Sequence, residues 1–441
     1  MRIRLVLRIV LAACGLAIAS VSLVETHGQP PDFQDMKKQF LRDMKTDQPE
    51  IRVKAVKRLS QESLQGAAEL LIKRGFADPN VGVRNESLTG LRRMASNSEV
   101  REFLKDELTK SLRKPGLNQL SIEFIRSLTV TSDEGQQSEF LNYLNDAIGS
   151  PKFNLQIVMT AIEEDGDVGD ADSVRSVALL AKANVFEKHF GYRRCVVQAL
   201  TRIRRPEAID VLIQLIGKTD GLVQYDAIQY LAKLTKQQHR DDHQSWAVWW
   251  TENREKFNIP ALEVDLPEVE VAEGSDNFYK NPIHAKRVVF VLNTSDRLQG
   301  PPLASAKRDL MKTVEALPEL VHFNIVTYAC RAETWRPQLV PATSHAKQAA
   351  VHFIQEAHTE RCNLPDIGLL KAYQFDTEAI YFHVAHLPTL NTINMITASN
   401  RIRRVSIHTI GLPVYHHEAF MLPLTMRSFA ERNYGTYQSA K

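Results

Sequence analysis

Three polar residues at alternate positions, Asn293, Ser295 and Arg297, follow directly on an apolar run at 288–292. An apolar run of this length, bounded by turn residues, is typical of a strand that is buried on both faces of a parallel sheet. Open α/β sheets place their ligand sites at the carboxyl ends of such strands. We therefore expect the amide, hydroxyl and guanidinium groups of these three residues to determine what this part of the chain binds.

Thiol and imidazole groups form a second candidate site, since Zn²⁺ prefers such ligands. The residues are Cys362, His383, His386, His416 and His417. Their irregular spacing favours a simpler interpretation, in which the histidines lie at the surface or pack in the core. A hydrolase that uses this histidine-rich end is a further hypothesis, although the sequence contains no nucleophile elbow, phosphate-binding glycine loop or HExxH motif. We expect no catalytic activity and no cofactor.

The elements that would position these residues alternate along the last third of the chain. Apolar runs and turn residues predict strands and helices in alternation, which indicates a doubly wound, mostly parallel α/β sheet. The predicted strands are 287–292, 322–329, 379–385, 404–410 and 435–438. The predicted helices are 303–317, 344–355, 365–374, 392–401 and 415–432.

This segment resembles a von Willebrand factor type A domain. The matching stretches are 288–295, 323–328, 362–366, 380–382, 405–411 and 429–437, in the order of that family. The resemblance implies a domain that binds proteins and holds a divalent cation at the carboxyl edge of its sheet. In the family, an Asp-x-Ser-x-Ser loop, a Thr and a second Asp supply the oxygen ligands, and a partner's carboxylate completes the shell.

The positions that match this metal site carry Asn293, Ser295, Arg297, Cys362 and Ala385. Only the first serine of the family pattern is kept. Because two carboxylates are lost and a guanidinium is added, Coulomb's law opposes the binding of Mg²⁺. We therefore expect a degenerate site that holds no metal.

Arg297 offers a replacement for the cation, since its guanidinium could bind a partner's carboxylate directly. The simpler interpretation is that Arg297 pairs with Asp296 or projects into solvent. Asp296 and Asp366 are acidic neighbours of the site, but neither matches a family ligand position.

A repeated pattern precedes this domain, over residues 32–258. The segment 47–59 is echoed by 78–88, with Arg52 and Arg84 in equivalent positions, and 192–200 is echoed by 220–231. The pattern resembles HEAT-type repeats and implies stacked helical pairs with an extended surface for macromolecules. We expect the Asp and Arg residues of successive units to form a ladder that joins the repeats.

Two stretches of the helical segment allow a second interpretation. Trp246, Trp249 and Trp250 share one helix face, which favours a capping helix over an aromatic ligand platform. The acidic stretch 163–170 lacks the spacing of an EF-hand, and it predicts a solvated loop.

The first 25 residues predict a signal peptide or an N-terminal anchor. Arg2, Arg4 and Arg8 precede an uncharged run at 9–24, and Cys14 lies in a lipoprotein-like context. The body is therefore expected to be exported to the periplasm or outside the cell, with membrane contact only through this segment. Three further cysteines at wide spacing predict no disulfide framework, and Cys195 and Cys330 are expected to be buried.

Length and charge complete the prediction. A chain of 441 residues predicts two domains, here 32–258 and 285–441, joined by an acidic linker at 259–284. The formal net charge of +3, with acids and bases interleaved, argues against a nucleic-acid partner. The sequence predicts a non-catalytic scaffold that binds a protein partner in the cell envelope. A metal-dependent adhesion module and a hydrolase are the alternatives.

Overall fold

The computed structural model describes residues 31–114, 116, 118–131, 133–150, 153–260, 277–279, 281–412 and 420–440. The predicted signal segment with Cys14, most of the predicted linker, and both His416 and His417 lie outside the described residues. No helix in the described part is long and apolar enough to cross a membrane. By its contacts the chain divides into two compact units between Met94 and Ala95.

The described part of the first unit, from residue 31 onwards, contains four α-helices, α1–α4. They span Pro31–Asp43, Pro49–Leu59, Gln65–Leu70 (continued by a π-helical turn, Leu71–Gly75) and Val81–Met94. Helix α2 packs against α4 through residues such as Val56 and Leu91, both fully buried. Arg52 donates from Nε and Nη2 to the carboxylate of Asp78 at 2.9 and 3.1 Å. This pair confirms the predicted ladder of Asp and Arg in the first unit.

The second unit begins with ten helices of the described chain, α5–α14. They span Ser98–Leu112, Gln119–Thr129, Glu134–Ile148, Leu155–Val168, Ala171–Leu180, Asn184–Lys188, Phe190–Arg202, Pro206–Ile216, Gly221–Thr235 and His243–Asn253. Helices α6, α8, α11 and α13 pack in succession to form one layer, and α7, α9, α12 and α14 form another. Such alternation is what stacked helical pairs produce. Arg194 Nε donates to Asp226 Oδ2 at 2.7 Å and continues the ladder between α11 and α13.

The end of this helical array agrees with the predicted cap. Trp246 and Trp250 are buried, and their indole N–H groups donate to Arg240 O and to Asp210 Oδ1 at 2.9 and 2.6 Å. The rings therefore close the last helical pair and leave no aromatic platform at these two positions.

The prediction of a solvated loop at 163–170 is wrong. Helix α8 continues to Val168 and ends where Gly169 adopts a positive φ of 67°. Asp165 is only 5% exposed; it accepts a hydrogen bond from Ser176 Oγ at 2.7 Å and lies 3.3 Å from Arg126 Nε. The acids form part of the helix because partners on neighbouring helices satisfy them.

The α/β domain follows, with strands β1–β9 and helices α15–α19. The strands are Asn277–Phe278, Asn281–Pro282, Arg287–Asn293, His322–Tyr328, Ala332–Thr334, Val340–Pro341, Ala379–Val384, Ser406–Gly411 and Tyr437–Ser439. The helices are Pro301–Ala316, Ser344–Glu356, Pro365–Tyr373, Leu390–Arg403 and Met421–Arg432.

The main sheet has the order β5-β4-β3-β7-β8-β9, and β6 also pairs with β4. Strands β4, β3, β7, β8 and β9 are parallel, which confirms the predicted doubly wound sheet. The antiparallel strands β5 and β6, and the separate β1–β2 pair, were not predicted because each is only two or three residues long. Phe278 of β1 is buried against Phe290, Tyr381 and His383.

The residues that precede β3, β7 and β8 form the amino edge of the sheet, and this edge packs on helices α8, α11 and α13 of the same unit. Arg194 Nη1 donates to Arg404 O at 2.7 Å and to Ser406 Oγ at 2.9 Å. The guanidinium of Arg404, only 2% exposed, donates to Glu163 and Gln198. Charged groups of the two parts are thus buried together and hydrogen-bonded to each other across the junction, although Arg404 Nε has no partner in the described chain.

The backbone of the amino edge of the sheet also lies in direct contact with the helical array. Glu378 Oε2 accepts hydrogen bonds from the backbone N–H groups of Lys286 at 3.0 Å and Leu222 at 3.5 Å. A Cβ atom on Gly191 of α11 would lie 2.0 Å from the carbonyl oxygen of Ile402. Only glycine therefore allows α11 to approach the end of α18 at this distance.

Candidate functional site

Asn293 ends strand β3 at the carboxyl edge of the sheet, and its side chain is fully buried. Its Oδ1 accepts a hydrogen bond from Ser295 N at 2.9 Å. Its Nδ2 donates to Tyr328 Oη at 2.9 Å and to Asn363 Oδ1 at 3.2 Å. Tyr328 Oη in turn donates to His383 O at 2.9 Å. The amide is therefore held by neighbours on β3, β4 and the loop before α17.

Sequence reasoning did not identify Tyr328 and Asn363 as parts of this network. Tyr328 is the last residue of β4, and its ring is so close to α17 that a Cβ on Gly368 would lie 2.6 Å from it. The carboxyl ends of neighbouring parallel strands meet at one edge of a sheet. The polar hydroxyl group of Tyr328, at the end of a predicted strand, was therefore the signal that could have placed it next to Asn293.

Ser295 and Arg297 lie on opposite sides of the turn after β3. Ser295 is fully buried, and its Oγ has no hydrogen-bond partner among the described residues. Asp296 N donates to Glu360 O at 2.8 Å, which anchors the turn. Arg297 is exposed and lines an open cavity of about 970 Å³ with Tyr279 and others. Within the described chain no hydrogen bond or ion pair joins Arg297 to Asp296.

Cys362 forms a disulfide bond with Cys330, so the prediction that the cysteines form no disulfide is wrong. Cys330 follows β4 and is exposed, contrary to the expectation that it would be buried. The 32-residue separation hid the pair, yet the end of β4 and the loop before α17 lie at the same edge of the sheet. Cys195 is buried as predicted, and burial raises the pKa of its thiol to about 12.

The predicted zinc ligands are not assembled in the described part of the chain. Cys362 is engaged in its disulfide and offers no thiolate. His383 is 1% exposed, its ring contacts Phe278 and Tyr279, and burial lowers its pKa to about 3. No group of three His, Cys, Asp or Glu side chains among the described residues is arranged to hold a metal ion.

The remaining positions near the site have structural roles. Ala385 is 1% exposed and contributes only a methyl group. Asp366 Oδ1 accepts hydrogen bonds from Thr389 N at 3.0 Å and Thr389 Oγ1 at 2.7 Å. Partial burial acts to raise the pKa of Asp366, but hydrogen bonds from Thr389 and Thr392 outweigh it and the pKa is lowered. This carboxylate joins the start of α17 to the start of α18.

Large apolar side chains are exposed along the same edge, and sequence reasoning did not identify them. Of ten such exposed side chains in the described residues, six lie at the starts of α17, α18 and α19. We call them the carboxyl-edge strip: Leu364, Leu390, Met395, Phe420, Met421 and Leu424. Leu390 is 72% exposed and Phe420 75%. The Asp366–Thr389 hydrogen bonds join the starts of α17 and α18, and α18 also packs on α19.

Comparison with known proteins identifies this domain. The sequence signature of the von Willebrand factor type A domain matches residues 286–438. Inter-alpha-trypsin inhibitor heavy chain H3 of Mus musculus is 25% identical over 116 residues, which are 26% of this chain and 13% of that protein. Heavy chain H4 of Homo sapiens is 32% identical over 68 residues, 15% of this chain and 7% of that protein. The chain thus matches a small part of these relatives' length.

Solved structures similar to this chain include a von Willebrand factor type A protein from Catenulispora acidiphila, with a TM-score of 0.31 and 15% identity, covering 36% of this chain and 39% of that one. The PilB minor pilin from Streptococcus sanguinis has a TM-score of 0.27 and 13% identity, covering 36% and 59%.

Residues 286–438 form a von Willebrand factor type A domain, and the preceding helices are consistent with a helical-repeat solenoid. The predicted resemblance is confirmed to this extent. A domain of this family is a protein–protein interaction or adhesion module.

Proposed function

We propose that this protein is a non-catalytic scaffold of the cell envelope, whose type A domain binds a protein partner through the carboxyl-edge strip without a metal ion. The strip is the observation that carries the proposal. Large apolar side chains that are exposed at one edge of a domain are costly in water and mark interaction sites. When such exposed side chains become buried in a complex, they supply most of the free energy of the protein interface.

The absence of a metal requirement is supported by the groups at the five matching positions. A hard cation such as Mg²⁺ requires about six oxygen ligands in near-octahedral geometry. Asn293 Oδ1 already accepts a hydrogen bond from Ser295 N, and Cys362 is in a disulfide. Ala385 offers a methyl group and Arg297 a positive charge. These residues do not fit the cation that the family implies.

Export is supported by two observations. The charged start and uncharged run at 1–25 have the pattern of a signal segment or membrane anchor. The second observation is the Cys330–Cys362 disulfide, since disulfides form and persist mainly in oxidising compartments. In this proposal the helical array acts as the base on which the type A domain is fixed, and neither nucleic acid nor catalysis is involved.

The test is capture of partners from the envelope fraction of the source cells by the immobilised mature protein. It compares wild type with Leu390→Glu, which places a charge in the strip, and with Val248→Glu on α14 as the matched exposed control. We expect Leu390→Glu to lose the bound protein, and Val248→Glu to retain it, equally in EDTA and in Mg²⁺.

Three results would contradict the proposal. Equal loss in both variants would show that the strip is not the binding surface, and loss in EDTA would favour a metal-dependent adhesion module. Thermal unfolding gives an independent measurement, because a cation that binds only the folded state raises the midpoint. We expect no shift with millimolar Mg²⁺ or Mn²⁺, and a clear rise would restore the metal site.

A further inference from the structure

The open cavity of about 970 Å³ beside Arg297 is lined by the turn after β3, the first half of α15 and strand β9. Its volume is within the range of sites for small molecules. Pro302 and Ala306 of α15 and Leu412 after β8 form apolar parts of the wall, and Gln438 of β9 adds an amide group. The cavity therefore has room for an organic molecule, with both apolar and polar groups to contact it.

Two guanidinium groups belong to the lining of this cavity, those of Arg297 and Arg308. Both side chains are exposed, and neither forms a hydrogen bond or an ion pair with another described residue. A guanidinium group binds a phosphate or a carboxylate through two parallel hydrogen bonds. The cavity thus offers two free sets of donors that suit an oxyanion.

Asp309 is the one acidic residue in the described lining, and it is engaged elsewhere. Its carboxylate accepts a hydrogen bond from the hydroxyl group of Tyr279. Burial raises the pKa of Tyr279, and the nearby carboxylate raises it further, so the hydroxyl group keeps its proton and remains the donor. Two guanidinium groups against one carboxylate leave the lining with a net positive charge.

Lys312 adds a cation one helical turn after Arg308, on the same face of α15. It is exposed and has no ion-pair partner among the described residues. Like charges four positions apart on a helix repel each other, and an anion bound beside Arg308 relieves that repulsion. A cleft in which one sign of charge dominates also raises the local concentration of the opposite ion.

We propose that this cavity binds a small organic phosphate, that is, a molecule with a phosphate monoester group and a compact apolar body. The phosphate group carries close to two negative charges at pH 7, which the guanidinium groups of Arg297 and Arg308 balance. The apolar body lies against Pro302 and Leu412. A single carboxylate has half this charge and matches the pair of arginines less well. The proposal goes beyond partner binding at the carboxyl-edge strip and does not depend on it.

Three matched probes test the proposal on the mature protein by isothermal titration calorimetry in a phosphate-free buffer: phenyl phosphate, inorganic phosphate and benzyl alcohol. We expect saturable binding of phenyl phosphate at one site, weakened by added NaCl. Inorganic phosphate, which lacks the apolar body, should bind about tenfold more weakly. Benzyl alcohol, which lacks the anion, should bind about a hundredfold more weakly or not at all.

Variants assign the binding to this cavity. Arg297→Gln and Arg308→Gln each remove one guanidinium group from an exposed position, so the fold is retained, and each should weaken phenyl phosphate binding about tenfold. Arg401→Gln removes the same charge from an exposed position near the end of α18, outside the cavity lining, and it should bind as wild type does.

Three results would overturn the proposal. The first is an absence of saturable phenyl phosphate binding to the wild-type protein. The second is equal affinity for phenyl phosphate and inorganic phosphate, which would show that no organic body is bound. The third is the same change in affinity in all three glutamine variants, which would show that net charge alone attracts the anion.

Discussion

The two edges of the type A sheet have opposite surface chemistry. At the amino edge Arg404 and Glu378 are buried against the helical array, and each has partners in the same chain. At the carboxyl edge Leu390 and Phe420 are exposed, and Arg297 has no ion-pair partner among the described residues.

This difference in surface chemistry reflects what each edge of the sheet packs against. A buried charge is costly unless it is paired, and pairing requires a neighbour whose position is fixed. The helices α8, α11 and α13 supply such a neighbour within the chain. Exposed apolar side chains do not need a partner atom at a fixed position. They are therefore compatible with binding to a separate protein after the chain has folded. The amino edge thus packs against helices of the same chain, and the carboxyl edge is the surface at which we propose that a protein partner binds.

The comparison of the two edges is tested by replacing one arginine by methionine at each edge. The largest expected change in the free energy of unfolding is at the amino edge. Arg194→Met removes the guanidinium that joins Asp226 to Arg404 O and Ser406 Oγ, and it should lower the free energy of unfolding by about 3–5 kcal/mol. Arg297→Met should change it by less than about 0.5 kcal/mol, since Arg297 is exposed. Urea denaturation measures both. Similar effects at the two positions would contradict the distinction between the edges.

The disulfide gives the next largest effect, because it stabilises the carboxyl edge, where the described residues form no buried ion pair. Replacing both Cys330 and Cys362 by Ser should lower the free energy of unfolding by about 4 kcal/mol, as the chain-entropy relation gives for a sequence separation of 32. Thermal unfolding with and without dithiothreitol measures this. Reduction should lower the midpoint of wild type and leave the double variant unchanged. If reduction leaves the wild-type midpoint of thermal unfolding unchanged, the disulfide does not stabilise the folded protein.

Acid should destabilise both halves of the sheet, because His383 near the carboxyl end of β7 and His408 of β8 both have lowered pKa values. His408 of β8 stacks on Tyr381, and burial together with the nearby Arg194 lowers its pKa to about 3, from an ordinary value of 6.5. The unfolded chain therefore binds this proton more readily than the folded one. The stability is complete above pH 6.5 and is lost as the pH falls from 6.5 towards 3.

We expect the melting temperature to fall by about 5 °C or more between pH 7 and pH 4. His408→Phe should reduce this fall, although at pH 7 it loses the hydrogen bonds with Thr436. If the melting temperature of the variant falls with pH as much as that of wild type, His408 is not responsible for the acid sensitivity.

The sequence predicted the α/β domain closely, because each of its principal strands has a local signature. The run at 288–292 has no polar interruption, and strand β3 extends it by one residue on either side. The predicted helix 365–374 differs from α17 by one residue. Side-chain pairings were less predictable: Cys330 and Cys362 were assigned separate roles, since nothing local connects residues 32 positions apart.

The sequence by itself determined the order of strands and helices, and it places Asn293 and Ala385 at the positions where the resemblance predicts the family's carboxylates. These depend on residue type and spacing along the chain. Only the tertiary structure decided that Arg404 pairs with Glu163, 241 positions away, and that the starts of three helices bring their exposed apolar side chains to one edge. Such features depend on which surfaces meet when helices pack on a sheet, and hydrophobic periodicity within one element does not contain that information.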